Sequence, residues 1–327
     1  MRRSLASLGA AAAFAGIACV PAVHDLASQS PVPTPSAQTP APSPTPAPVG
    51  SVGALGGTVT HLEFAVTGDT RPATPDDTAN YPSAIATKIF QDIDAESVPF
   101  AILTGDYLNA SSSGLQASPQ LDLYLAARAS FHGVAFPVMG NHECNRHSDK
   151  ANCGQGNADG LTPNYTAFVS KLLAPLGRTS PNYSVRIDAV DGSWTSKFVF
   201  VSGNSWSSDD TSWLEATLSS ATTYTFVVRH QDVTATEAPG VAASAPVLAA
   251  HPYTLLLCAH QHTFSFDAAN RQVITGNGGA PLTSSVNYGY TVVRQQADGT
   301  LLGTNFDYLS HATQGTFHVR ADGSVVP

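Results

Sequence analysis

The chain has 327 residues, a formal net charge of −9 and only 12% charged residues. That acidic, sparsely charged composition argues against a protein that tracks a nucleic-acid backbone through a basic face. Four cysteines with no C-x-x-C spacing argue against a zinc-thiolate site.

The first fifty residues do not read as fold material. Arg2 and Arg3 precede an apolar, alanine-rich run from Leu5 to Val20, too short for a mature membrane span. A basic start followed by a short apolar core predicts a signal peptide over residues 1–22, hence export to the periplasm, the medium or the cell envelope. Two endings stay open. Cleavage after Ala22 fits the small-residue rule, while Gly16-Ile17-Ala18-Cys19 resembles a bacterial lipobox with Cys19 as the lipidated residue, the one expected route to a membrane. Residues 23–55 are expected to be a disordered linker, with eight prolines between Pro31 and Pro48. As polyproline II that stretch reaches roughly 55 Å, at about 3.1 Å per residue.

A single domain is expected over 56–327, large enough for one core. Leu62–Val66 reads as a buried strand ending at Gly68-Asp69. Pro82–Ala95 carries Ile85, Ile89, Phe90 and Ile93 at helical spacing. Phe100–Leu103 is a second strand, ending at Gly105-Asp106. Leu121–Phe131 is helical, and Phe136–Met139 is a third strand, ending at Gly140-Asn141-His142-Glu143. Glu143–Asn182 is turn-rich and reads as an inserted loop over the site. It contains Cys144 and Cys153, the obvious disulfide pair in an oxidising compartment, and His147. Phe198–Val201 is a strand, Thr211–Leu218 a short helix, and Tyr224–Val228 a strand delivering His230. Tyr253–Cys258 delivers His260 and His262; Cys258 itself reads as a buried free thiol. From Val273 the pattern is mostly β. Repeated β-loop-α units predict an α/β fold, a four-layer α/β/β/α sandwich of two mixed sheets with its site at strand C-terminal ends.

Carboxylate, amide oxygen and imidazole, each placed just after a strand, are the donors that Mn, Zn or Fe accept. In order they are Asp69, Gly105-Asp106, Gly140-Asn141-His142-Glu143, His230 and His260-Gln261-His262, followed by the turn Gly276-Asn277-Gly278-Gly279. Over roughly residues 60–285 this series resembles the calcineurin-like metallophosphoesterases. Their pattern is D-x-H, G-D, G-N-H-E, a lone histidine and G-H-x-H. The resemblance implies two divalent or transition metal ions, with Asp106 bridging, Asp69 and His262 on the first, and Asn141, His230 and His260 on the second. It also implies His142 as the catalytic imidazole, Glu143 as an outer residue orienting His142 or a neighbouring ligand, and hydrolysis of small phosphate monoesters or diesters by a metal-bound hydroxide.

Two departures stand out. D-x-H is here Asp69-Thr70-Arg71, so the first metal loses an imidazole. Either the first site is weak, water fills the gap, or Asp76 or Asp77 swings in. Arg71 is then a substrate-phosphate clamp, which its planar fork suits, or a structural ion pair. Ala259 replaces the glycine before the histidine pair, which matters only if that turn needs positive φ. Asn109 stands where purple acid phosphatases carry a tyrosine, so no tyrosinate-iron centre is expected. The competing reading is a divergent, non-catalytic metal- or phosphate-binding surface protein, motivated by Arg71.

Overall fold

Burial alternates along the central strands with the period of two that a sheet buried on both faces requires. Phe198, Phe200, Phe226, Val228, Leu255 and Leu257 enter one cluster, while Val199, Val201, Val227, Leu256 and Cys258 enter another. The computed structural model describes residues 50–145 and 148–327. The expected signal peptide, lipobox cysteine and proline linker up to residue 49, and His147, lie outside the described residues.

In chain order the elements begin with β1 (Val52–Gly53), β2 (Gly56–Val59), β3 (Glu63–Thr67), α1 (Ser83–Ala95), β4 (Phe100–Leu103), α2 (Ala117–Arg128) and β5 (Val134–Pro137). Then come α3 (Pro163–Phe168), which continues through a π turn at Val169–Leu173 and a 3-10 turn at Ala174–Leu176, β6 (Tyr183–Ala189), β7 (Ser196–Phe200), α4 (Ser208–Ser219), β8 (Tyr224–Val228) and α5 (Pro239–Ala250). The chain closes with β9 (Leu255–Cys258), β10 (Phe264–Asp267), β11 (Gln272–Thr275), β12 (Gly289–Gln295), β13 (Leu301–Asp307) and β14 (Thr313–Val319).

One sheet has the order β1-β2-β6-β7-β8-β9-β11-β10, the other β14-β13-β12-β3-β4-β5. Both are mixed. β3, β4 and β5 run parallel, as do β7, β8, β9 and β11, and the remaining neighbours are antiparallel apart from the parallel β2–β6 pair. The inner faces meet through aromatic rings. Phe64 of one sheet sits 5.1 Å, ring to ring, from both Phe198 and Phe226 of the other, and Phe100 sits 5.3 Å from Phe198. Edge-to-face pairs of this kind add about 0.5–1.5 kcal/mol beyond burial. α4 and α5 cover the outer face of the larger sheet through Leu214, Leu218, Val247 and Leu248. α1 and α2 pack together beside the smaller sheet, with Phe90 and Tyr124 edge to face. The result is the expected four-layer α/β/β/α arrangement of two mixed sheets.

Two expectations change. Ordered structure begins before residue 56, because Val52–Gly53 pairs antiparallel with Gly56–Gly57. Gly56, at φ +109°, makes a tight turn that carries no hydrophobic signal. Within 143–182 the part up to residue 162 is turns and loop as expected, but 163–176 is helical: Thr162 caps α3 by accepting from Tyr165 N at 3.3 Å, Pro163 opens it, and Phe168, Leu172 and Leu173 are buried. As the mostly β pattern after Val273 suggests, the chain ends in strands: β12, β13 and β14 complete the smaller sheet, with β12 antiparallel to β3, Thr291 opposite Val66.

Candidate metal centre

The parallel strands of both sheets end on the same edge of the sandwich, and each of their C-terminal loops delivers polar side chains there. β3 leads to Asp69, β4 to Asp106, β5 to Asn141, His142 and Glu143, β8 to His230, and β9 to His260 and His262. All of these residues except His260 and His262 are essentially buried. Four of the six expected ligands adopt left-handed backbone conformations: Asp69 (φ 55°), Asp106 (59°), His260 (69°) and His262 (47°). Such strain costs about 1–3 kcal/mol per residue and concentrates at functional sites. Positive φ falls on the two histidines and not on Ala259, so the alanine in place of glycine is tolerated.

Close approach explains two of the glycines. A Cβ on Gly140 would lie 2.2 Å from Asp106 Oδ1, and one on Gly276 would lie 2.3 Å from Asp69 Oδ2. The turn at 276–279 therefore braces the first aspartate loop, with Gly278 N donating to Gly68 O at 3.0 Å. Glu143 has a similar bracing role. Its carboxylate accepts from the backbone N–H groups of Asp106 (2.9 Å), Tyr107 (2.7 Å), Leu108 (3.3 Å) and Gly140 (2.8 Å), so it ties the β4 loop to the β5 loop.

Two tautomers are set by backbone carbonyls. His230 Nδ1 lies 2.8 Å from Thr104 O, and His262 Nδ1 lies 2.8 Å from Pro281 O. Each Nδ1 is thereby a donor, which leaves each Nε2 facing the centre. His230 Nε2 is 3.3 Å from Asp106 Oδ1 and 3.2 Å from His260 Nδ1. His262 Nε2 is 3.7 Å from Asp69 Oδ1, and ligand atoms of Asp69, Asp106 and His262 all lie within 4.8 Å of one another. His142 Nε2 stands 3.7 Å from Asp106 Oδ2.

Asp69 Oδ1 and Asn141 Oδ1, one in each half of the cluster, are buried acceptors with no hydrogen-bond donor. An unsatisfied buried acceptor costs about 1–3 kcal/mol, which a coordinated cation would relieve. The donor set thus fits two metal ions, except where Arg71 enters the first half. Its Nε donates to Asp106 Oδ2 at 3.1 Å, its NH2 lies 3.1 Å from His262 Nε2, and NH1 is pinned to Pro72 O at 3.3 Å. Neither Asp76 nor Asp77 approaches: Asp76 accepts from Ser111 N, and Asp77 bonds Thr74 and Asn80.

Burial pushes the Asp69 carboxyl up to about 8, with Asp106 adding and His230 and Arg71 opposing. Asp106 is equally buried, yet the charges of His230, His142 and Arg71 together hold it well below the usual carboxylate range. Burial disfavours charging His230, but Asp106 and Asp69 outweigh it and raise that imidazole to about 10. The paired aspartates thus draw positive charge onto His230, whereas burial, with the charge of His230 beside one and of Arg71 beside the other, lowers His260 and His262.

Several participants carry no motif signal. Asp149, in the disulfide loop, places Oδ2 3.6 Å from His260 Nε2. The Asn204 amide donates to the carbonyls of Asp149 (2.9 Å) and Ala151 (2.8 Å), clamping that loop over the second half. Asp232 accepts from Gln261 at 2.6 Å and steadies the histidine turn; its place two residues after His230 was the only hint. Trp206 packs with Leu214 and Leu218 away from the centre. Cys144 and Cys153 form a disulfide, and Cys258 is a buried free thiol.

The family described as Calcineurin-like phosphoesterase matches residues 62–264, well over half of the chain. No curated protein matches the sequence significantly. Among solved structures the chain is similar to GAP50, the anchor in the inner membrane complex of Plasmodium, with 16% identity over 81% of this chain and 90% of that one and a TM-score of 0.58. It is also similar to purple acid phosphatase PPD1 of yellow lupin, at 13% identity over 83% of this chain and 55% of that one, TM-score 0.56. A dimetal phosphatase of Danio rerio aligns at 13% identity over 77% and 98%, TM-score 0.51. At such identities these structures speak for the fold alone, and the sequence match decides the family: the chain belongs to the calcineurin-like phosphoesterases.

Proposed function

We propose that the chain is an exported, metal-dependent phosphoesterase that hydrolyses small phosphate monoesters or diesters. The observation that carries this reading is the convergence of Asp69, Asp106, His230 and His262, with two buried oxygens that lack donors, on one edge of the sandwich. Asp106, Asn141, His230 and His260 would hold one metal, and Asp69, Asp106 and His262 a second, weaker one. When bound, such ions supply Lewis acidity and lower the pKa of a coordinated water.

The protein side of the chemistry follows from what each group touches. Of the five N–H donors of Arg71, three are engaged, leaving two to take a phosphate oxygen. His142, beside Asp106, stands where an imidazole can hold a proton for the leaving alkoxide. Glu143 works through the backbone of the aspartate loop as a positioning residue. The disulfide loop narrows access to the second half, which favours small esters over long polyanions, and the net charge of −9 repels them.

Export rests on the basic, apolar N-terminus of the sequence and suits a disulfide-bearing domain. The mass of the mature N-terminus decides between cleavage after Ala22 and a lipidated Cys19.

The ion pair from Arg71 to Asp106 favours a second reading, a metal- or phosphate-binding surface protein without turnover. Hydrolysis of nitrophenyl monoester and diester with added manganese separates the two, with Asp106→Asn as control. Metal-dependent turnover lost in the control supports the enzyme. Phosphate and metal binding without turnover supports the binder.

A further inference from the structure

Arg229 is the last residue before His230, and strand parity sends the two in opposite directions. Val227 and Arg229 share the outer face of the larger sheet, so the Arg229 side chain enters the layer between that sheet and α5 and not the metal centre. There it is 98% buried, at 2% exposure. Its Nε donates to Gln231 O at 2.9 Å and its NH1 to Ser244 Oγ at 3.2 Å. Among the described residues no carboxylate comes within ion-pair distance of it, and its second terminal nitrogen has no hydrogen-bond partner. The neighbouring acid, Asp232, makes its hydrogen bonds to Gln261 and Thr234 and acts on Arg229 only through space. A charge so deeply buried and unpaired is expensive, and proteins pair such groups or bind a counter-ion.

The guanidinium opens onto a pocket of about 180 Å³ whose apolar walls include Val241, Leu248, Leu256 and Tyr253. A second guanidinium, Arg271, lines the same pocket. It is held there by NH1 donating to Tyr253 O at 2.8 Å and by stacking 4.5 Å over the Tyr253 ring. No Asp or Glu lines this pocket, so two cations face an apolar hollow in a protein whose net charge is −9. The volume corresponds to about six water molecules at roughly 30 Å³ each, enough for a short-chain or single-ring acid.

We propose that this pocket is a binding site for a small organic carboxylate with an apolar body. The carboxylate sits against Arg229 and Arg271, whose planar forks match it, and the body packs on Leu248, Leu256 and Tyr253. The site is separate from the metal centre, on the other face of β8, and does not depend on the reading of that centre.

Calorimetry and thermal melting of the full protein with benzoate and hexanoate test this, with benzamide and inorganic phosphate as controls. Both acids are expected to bind saturably and raise the melting temperature, benzamide to do neither. Arg229→Met keeps the volume but removes the charge. It is expected to weaken binding at least tenfold while melting no lower than wild type without ligand, since replacing an unpaired buried charge is neutral or stabilising. Ala245→Trp, at the exposed mouth, leaves both arginines intact and is expected to block binding equally. Absence of saturable binding by either acid overturns the proposal, as does binding undiminished in both variants. Binding of phosphate and neither acid would overturn the assignment of an apolar ligand.

Discussion

The two halves of the metal centre share Asp106 and each uses imidazole, yet one adds the amide oxygen of Asn141 and a second histidine where the other adds Asp69 and meets Arg71. In the half formed by Asn141, His230 and His260, ring nitrogens converge at 3.2–3.3 Å on each other and on Asp106, and among the described residues the carboxylate of Asp149 stands beside His260 with no arginine near. In the half formed by Asp69 and His262, the guanidinium of Arg71 lies against Asp106 and His262. A fixed cation there neutralises part of the aspartate charge and repels a second cation. The comparison predicts that one side chain, Arg71, sets how tightly its half holds a cation while the scaffold stays unchanged.

The bridging position should break both halves at once. Asp106→Asn is expected to lower kcat/KM about 10³-fold or more, since the carboxylate serves both halves and metal-borne charge stabilisation is worth several kcal/mol. Manganese titration of the same variant should show both binding phases weakened. A variant that retains wild-type turnover and metal content would remove Asp106 from the centre. His142→Ala is expected to cost about 10²–10⁴-fold in kcat, in the range of general acid catalysis, with metal binding intact. Loss of metal along with activity would make His142 a ligand or a structural prop instead.

The halves separate in a paired measurement. His230→Ala should abolish the tight binding phase, weakening it by at least about 100-fold, because even residues that only orient ligands are worth 10–100-fold. His262→Ala should leave that phase within a few-fold of wild type. Equal effects from both variants would show that the site has no strong and weak side. Arg71→His, which restores the family's imidazole, is expected to tighten the weak phase roughly tenfold or more and to leave the tight one alone. Two equally tight sites in the wild-type protein would refute a half weakened by Arg71.

Much of this architecture was legible in the sequence because the central strands that carry the site are buried on both faces. Phe100–Leu103 and Tyr224–Val228 form strands with the bounds that their apolar runs suggest. The expected ligands follow such runs, and the loops after those strands bring their side chains together at one edge. What the sequence did not show depends on non-local contacts. The helix Pro239–Ala250 is rich in small residues and contains Pro246, so no apolar stripe announces it. The π turn at Val169–Leu173 and the antiparallel seating of β12 on β3 are set by tertiary packing. For Arg71 the sequence left several roles open, and only the distances to Asp106 and His262 show which groups it meets. Asp149 reaches His260 through the fold of a disulfide loop, which no spacing rule anticipates.

That loop gives the smallest expected effect and the finest test of the asymmetry. The Cys144–Cys153 bridge closes a ten-residue loop, and the chain-entropy account assigns it about 2.5–3 kcal/mol. Cys144→Ser with Cys153→Ser should therefore lower the melting temperature by roughly 5–10 °C. Asp149 and the Asn204 clamp belong to the same loop and touch only the half that contains His260. Loosening the loop should then weaken the tight phase by a few-fold and leave the weak phase alone, because Arg71, Asp69 and His262 are braced by Pro72, Gly276 and Pro281 instead. An unchanged tight phase would mean that Asp149 does not support His260, and a change in the weak phase would mean that the two halves are mechanically coupled through Asp106.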